Sequence, residues 1–320
     1  MLRLAKCAVG LLALLWSGAS FAQSYPSKPV RIIVPYQAGQ GTDVVARYFA
    51  DHLSRTTGQR FYVENKAGAG GNIGAEMAAH SDADGYTIFM GTNATQTMNE
   101  FMYTSLGFVP EKDFAPIILV GKLPMLVSAS PSFKANSVAD LVAAAKASPD
   151  KVDMALPSTT ARIVFEFLKE KTGAPLFSVP YKGSATALTD VLGGQVPLII
   201  DTVTALRSQI ADGKLKALGI TSLKTTELMP GVKSIAEQGV TGFEVTAWNA
   251  FYAPRDTPQP VIDLLNSELA KALALPETKK RLLELGFDPA GGTPAELTQF
   301  ENKERAKWGP IIKATDLKGG

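Results

Sequence analysis

The sequence predicts an α/β protein made of two units, and three observations carry the prediction. Short β-branched runs recur along the chain, each ends in a turn or loop of small residues, and most loops open into a segment with apolar residues at helical spacing. Strands alternating with helices in this way imply a parallel sheet with right-handed crossovers. The series runs once from Pro29 and again from near Leu126, with no low-complexity linker and no repeat of solenoid length.

In the first series, Val30-Arg31-Ile32-Ile33-Val34 reads as a buried strand that ends at Pro35. A glycine-rich loop leads into Thr42-Asp43. Val45, Tyr48, Phe49 and Leu53 then fall at helical spacing, and Gly58 stops that helix. Phe61-Tyr62-Val63 is a second strand, residues 67–72 form a second glycine loop, and a helix follows to about residue 80. Thr87-Ile88-Phe89-Met90 is a third strand, ending at Gly91. The second series has a helix capped by Ser137 and running to 147, then strands at 152–156, 176–179, 196–200 and 216–220. The helices between those strands span 164–171, 185–192 and 205–211. An extended segment covers 243–252, and the C-terminal third is helical at 261–273, 276–285 and 294–312. Short crossovers at 117–127 and 243–253 are expected to join the units, giving one lobe from 26–120 with 250–320 and another from 124–245.

The first residues address the compartment. Arg3 and Lys6 precede an apolar run over 8–16, and small residues follow to Ser20-Phe21-Ala22. That order is a secretory signal over 1–22, with the run too short for a membrane anchor. Cys7 is the only cysteine and lies inside this leader, so the mature chain has no disulfide, thiolate nucleophile or cysteine metal ligand. The chain has 32 Lys+Arg against 30 Asp+Glu, and removing Arg3 and Lys6 leaves 30 against 30. A neutral balance gives no reason to expect nucleic acid as a partner.

Three successive strands of the first series end in small-residue loops: Ala38-Gly39-Gln40-Gly41-Thr42-Asp43, residues 68–72, and Gly91-Thr92-Asn93. Ligands bind at the carboxyl ends of parallel strands. Glycine lets backbone approach a ligand closely, and the helices after the first two loops aim N–H groups and a positive dipole end at the same space. Three such loops at one sheet edge form an uncharged anion receptor, although each glycine alone also suits a tight turn. Gly68-Ala69-Gly70-Gly71-Asn72-Ile73-Gly74 misses the dinucleotide fingerprint because Ile73 stands at its third glycine, and no phosphate-binding loop motif occurs. A small carboxylate is therefore the expected ligand, with no cofactor. The catalytic inventory is poor: two histidines, His52 and His80, both at surface helix positions, and no G-x-S-x-G nucleophile motif. An anion-binding hydrolase or transferase needs a nucleophile with a positioned base, so the chain is expected not to be an enzyme.

Several segments together resemble one family, the Bug or TctC-type periplasmic binding proteins of tripartite tricarboxylate transport systems. The segments are residues 26–35, Gly41-Thr42-Asp43, residues 63–75, Asp84-Gly85-Tyr86-Thr87, Lys112-Asp113-Phe114-Ala115-Pro116, Val179-Pro180-Tyr181-Lys182-Gly183-Ser184, Leu192-Gly193-Gly194-Gln195 and Gly291-Gly292-Thr293-Pro294. The resemblance implies a two-lobed type II periplasmic-binding-protein fold that closes on a ligand in the cleft between lobes. It implies delivery of a small carboxylate to membrane subunits of the transporter, by a monomer in the periplasm. A role as a periplasmic sensor or adaptor for a signalling partner is a further possibility in such a family.

By position, the resemblance implicates the first loop from Tyr36 through Ala38, Gly39, Gln40, Thr42 and Asp43, the second through Ala67, Gly68, Ala69, Gly70 and Asn72, and Thr92 and Asn93. From the second lobe it implicates Ser158, Thr159, Thr160, Tyr181, Lys182, Gly183 and Asp201. Trp248, on the returning crossover, is placed either to wall the cleft or to sit in the core. Three departures from the family pattern matter: Ala38 replaces the usual proline, Gln40 the usual glycine, and Pro157-Ser158-Thr159-Thr160-Ala161-Arg162 replaces a Gly-Asn-Gly-Ser loop followed by histidine. Arg162 at that histidine position is expected to pair with a second anionic group of the ligand, which would make the ligand a dicarboxylate. The alternative is an arginine that reaches out to solvent from its helix end.

Overall fold

The computed structural model describes residues 25–147 and 152–314; the expected leader lies outside them. The first series forms strands β1 (Val30–Val34), β2 (Phe61–Asn65) and β3 (Thr87–Thr92), with helices α1 (Gly41–Thr57) and α2 (Asn72–Ala79) as crossovers. β1 pairs in parallel with both neighbours, in register from Val30 against Phe61 to Val34 against Asn65. α1 stops where expected, because Gly58 takes the left-handed conformation at φ 72°.

Beyond β3 come a single π turn (Ala94–Met98), the short helices α3 (Asn99–Met102) and α4 (Pro110–Asp113), and strand β4 (Phe114–Ala129). The second series follows as α5 (Val138–Ala147), β5 (Asp153–Leu156), α6 (Thr159–Thr172), β6 (Phe177–Pro180), α7 (Ser184–Leu192), β7 (Leu198–Thr202), α8 (Val203–Ala211) and β8 (Lys216–Ile220). The chain returns through β9 (Thr246–Pro254) and finishes with α9 (Gln259–Ala274), α10 (Pro276–Glu284), β10 (Asp288–Gly291) and α11 (Pro294–Ala314).

The strands lie in the order β2-β1-β3-β9-β4-β7-β5-β6, with β8 and β10 also paired to β4. β4 belongs to both halves of this sheet. Its first part, Phe114 to Pro124, runs antiparallel to β9, and its end, Met125 to Ala129, runs antiparallel to β7. The sequence reading expects parallel sheets, and each half does carry a parallel trio, β2-β1-β3 and β6-β5-β7. The antiparallel centre has a simple cause: one strand leaves the first half, another returns to it, and the outgoing and returning strands pair side by side.

Both faces of each half are covered by helices. In the first half α1, α9 and α10 pack Phe49, Leu53, Leu265 and Leu282 onto Val30, Ile32 and Val34. The opposite face is closed by α2 and α11 over Phe89, Phe114, Trp248 and Tyr252. In the second half α7 and α8 cover one face and α5 and α6 the other. The end of α11 crosses over: Trp308 and Ile312 are buried in the second-half core, and Trp308 meets Phe167 edge-to-face at 6.3 Å. Burying side chains of this size stabilises the fold by roughly 1.5–3 kcal/mol each, so α11 straps the two halves together.

Candidate functional site

The carboxyl ends of the two parallel trios face each other, and every loop leaving them enters the space between. Five helices start at this space, one of them α2, whose N-cap Gly71 lines it. α6 and α8 are capped there by side chains, Ser158 Oγ accepting from the Ala161 N–H at 3.2 Å and Thr202 Oγ1 from the Ala205 N–H at 3.3 Å. α1 and α7 begin at Gly41 and Ser184 without any side-chain cap. Their first N–H groups and positive dipole ends are therefore available to a ligand.

The space has an inner and an outer part that share Tyr36 and Ser158 as walls. The inner cavity, about 40 Å³, lies under Gln40, Gly41 and Thr42 of the first loop, Thr92 and Asn93 after β3, and Thr160, Ser184, Asp201 and Thr202 of the second half. β4 and β9 floor it with Leu123, Met125, Trp248 and Asn249. The outer cleft, about 480 Å³, is lined by Ala67, Gly68, Ala69, Gly70 and Gly71 on one side and by Ser158, Thr159, Arg162, Tyr181 and Lys182 on the other. Gln37 and Tyr103 complete it.

The two halves touch across this space. Gln40 Nε2 donates to Ser184 Oγ at 3.1 Å, and Asn93 Nδ2 donates to Thr160 Oγ1 at 3.1 Å. The Thr160 hydroxyl is also 3.3 Å from Asn93 Oδ1, and both residues are buried. Gly70 adopts φ 63°, and a side chain there would run into the Thr159 hydroxyl at 2.8 Å and that of Tyr103 at 2.6 Å. Gly183 lies so close to the Gln37 amide that a Cβ has no room. These two glycines allow the facing loops to meet.

Charge is divided unequally between the two parts. The described residues of the outer cleft include two cations, Arg162 and Lys182, and no acid. The Arg162 guanidinium is near enough to Tyr103 to favour its ionised form, although burial dominates and raises that phenol. Among the described residues the inner cavity has no basic one. Its one acid is Asp201, which burial pushes up to about 6, against nearby Ser184 and Thr202 groups that favour its ionised form. Tyr36 is held neutral, its phenol pushed up to about 12 by burial.

Five residues that the sequence reading places at the ligand, Ala38, Gly39, Asp43, Asn72 and Gly183, line neither part. Two of them act as buttresses. Asp43 accepts from the Gly39 N–H at 2.9 Å, Asn65 Nδ2 at 2.9 Å and Arg47 Nε at 3.1 Å, which holds the first loop in shape. Burial raises the Asp43 carboxyl, but these donors outweigh it and hold the group below the ordinary carboxylate range. Asn72 Oδ1 accepts from Asn99 Nδ2 at 2.6 Å, and the same amide donates to the Gly70 carbonyl at 3.1 Å, which fixes the second loop. Tyr181 presents its ring to the outer cleft while its hydroxyl donates to Asp190 at 2.7 Å. Trp248 meets both expectations at once, because it lines the inner cavity yet is 1% exposed, with Nε1 donating to Glu304 at 3.2 Å.

Sequence reasoning missed Gln37, Tyr103, Leu123, Met125, Ser184 and Asn249. Asn249 had a signal: it is the one polar side chain in the otherwise apolar stretch Ala247-Trp248-Asn249-Ala250-Phe251. Neither histidine reaches the site, and among the described residues no three His, Cys, Asp or Glu side chains could hold a metal ion.

The model for the tripartite tricarboxylate transporter family receptor, TctC, matches residues 45–317. The chain belongs to the TctC family. Among similar TctC-type proteins, BugT of Bordetella pertussis is 34% identical over 300 residues, covering 93% of this chain and 92% of BugT. A solved structure of the R. palustris protein Rpa4515 with adipate has 34% identity and a TM-score of 0.88, covering 90% of this chain and 97% of the other. The periplasmic binding protein BugD has 35% identity and a TM-score of 0.86, covering 92% and 99%. MatC from Rhodopseudomonas palustris with bound malate has 28% identity and a TM-score of 0.84, covering 90% and 100%. The fold is therefore that of TctC-type periplasmic solute-binding proteins, and the resemblance carried by the glycine loops and Pro180-Tyr181-Lys182-Gly183 identified the family.

Proposed function

We propose that this TctC-family receptor captures a small dicarboxylate in the periplasm, closes its two lobes around it, and passes it unchanged to the membrane subunits of a tripartite transporter. One observation carries the reading: the space between the halves offers an anion a favourable end twice. At the inner end stand the uncapped N-termini of α1 and α7; at the outer end stand Arg162 and Lys182. Guanidinium binds carboxylate through paired hydrogen bonds, which suits Arg162 to the second carboxylate. The adipate and malate bound by two similar proteins are both dicarboxylates, and that agreement supports the reading.

In this reading the lobes comprise residues 26–120 with 250–320 and residues 124–245, except that the end of α11 packs into the second lobe's core. The pairs Gln40–Ser184 and Asn93–Thr160 belong to the closed state, since they exist only when the lobes meet. Catalysis finds no support, because no hydroxyl lining the space has a histidine beside it to act as base. The test is calorimetric titration with four- to eight-carbon dicarboxylates and matched monocarboxylates, with the ligand recovered and weighed by mass spectrometry. Saturable binding of a dicarboxylate, recovered intact and bound more weakly when one carboxylate is removed, is expected. Turnover of the ligand, or no binding by any dicarboxylate, would overturn the proposal.

A further inference from the structure

Given the dicarboxylate reading, on which this inference rests, a ligand carboxylate entering the inner cavity meets a carboxyl group already there. Asp201 is the penultimate residue of β7 and is 3% exposed. Its Oδ1 accepts from the Thr202 N–H at 2.7 Å, while Oδ2 is buried and makes no hydrogen bond of good geometry, although the Ser184 hydroxyl is near enough to favour the ionised carboxylate. We propose that Asp201 binds the ligand as a neutral acid, with one proton held between Oδ2 and a ligand carboxylate oxygen, so that each dicarboxylate is captured together with a proton.

The surroundings leave little alternative. From β4 the cavity receives Leu123 and Met125, from β9 Ala247, Trp248 and Asn249, from α7 Ser184, and from the start of α1 Gln40, Gly41 and Thr42. None of these is charged, and Tyr36, the only other titratable group there, stays neutral. The charged residues on the same elements are engaged elsewhere. Asp43 and Arg47 of α1 pair with each other, and Asp190 of α7 takes the Tyr181 hydroxyl. Arg207 of α8 donates to the Leu283 carbonyl, and Lys122 of β4 lies over the Phe300 ring. Lys182, before α7, lines the outer cleft.

Two carboxylates side by side in one small buried space strongly disfavour both being ionised, and a single shared proton leaves the pair with one negative charge. That charge matches what the N-termini of α1 and α7 can stabilise. Burial already raises Asp201 to about 6 before any anion arrives, and the ligand's charge raises it further. The proton comes from solvent and returns to it on release.

The experiment is titration of wild type from pH 6.5 to 8.5, above the ionisation of the ligand itself, with the tightest-binding member of the dicarboxylate series. Affinity is expected to fall about tenfold per pH unit above 7, with nearly one proton taken up per ligand, read from the enthalpy in buffers of different ionisation heat. Asp201→Asn, a permanent neutral donor, should flatten the profile. Tight dicarboxylate binding with no pH slope and no proton uptake would overturn the shared proton while leaving the dicarboxylate reading intact. Preference for a ligand bringing an ammonium group, with affinity that does not fall as pH rises, would also overturn it, because Asp201 would then act as an anion. Failure of every dicarboxylate to bind would remove both.

Discussion

Replacing Thr160 with valine probes the contact between the lobes at a residue that also lines the inner cavity. The change keeps the side-chain shape and removes one hydroxyl, which in the structure exchanges hydrogen bonds with Asn93 at 3.1 and 3.3 Å. Both partners are buried, Asn93 at 1% and Thr160 at 4% exposure. In the closed state Thr160→Val would leave the Asn93 amide facing a methyl group, with only the weak Met98 sulfur contact at 3.4 Å remaining. Leaving a buried polar group without its partner costs about 1–3 kcal/mol, or roughly 5- to 150-fold in an equilibrium constant. With the lobes apart, water replaces the lost partner and the cost disappears. Thr160→Val is therefore expected to weaken dicarboxylate binding by that factor while the melting temperature of ligand-free protein changes little. Calorimetric titration and thermal unfolding with and without ligand measure the two effects separately. Equal affinities for variant and wild type would refute the assignment of this contact to the closed state.

Other substitutions probe the rest of the site. Arg162→Ala should cost roughly 2–5 kcal/mol of dicarboxylate binding and little for the matched monocarboxylate; equal, small losses would return Arg162 to a solvent role. Asp43→Ala removes the acceptor for the Gly39 and Asn65 donors and should lower unfolding stability in urea by about 1–3 kcal/mol. Because Asp43 is held below its ordinary value, its contribution is present above the unfolded carboxylate pKa and fades as pH falls through the folded one. Asp201 has the opposite sign. Raised from 3.8 to about 6, it takes up a proton on folding, so ligand-free stability should decline as pH climbs from 4 to 6 and then level. At pH 7 Asp201→Asn should raise ligand-free stability by up to about 3 kcal/mol, and an unchanged pH profile in thermal unfolding would contradict the burial of that charge.

The strands and glycine loops were legible because β-branched runs and helical spacing are local, and because Gly58 and Pro35 mark ends that neighbours cannot alter. The π turn at Ala94–Met98 was not, since a single turn has no periodicity to read. β10 was hidden for a similar reason: Asp288-Pro289-Ala290-Gly291 has turn composition, and only its pairing with β4 makes it a strand. Within the site, the loops could be found but the direction of each side chain could not. Asp43 and Asn72 occupy the glycine loops yet spend their polar atoms holding those loops, whereas Ser184 and Asn249 reach the inner cavity from elements that looked structural. The family resemblance pointed to Asp201, but its buried state was not legible, because that burial depends on β4, β9 and α1 arriving from distant parts of the chain.

The central claim is that two opposed lobes hold the two ends of one dicarboxylate, and a crystal structure with the tightest-binding member of the series tests it most directly. One carboxylate should lie in the inner cavity within hydrogen-bond reach of the α1 and α7 N-termini and Asp201, and the other should pair with Arg162, with Asn93 and Thr160 in contact. A ligand held by one lobe alone, or seated in the groove beside Lys122 and Phe300, would contradict it.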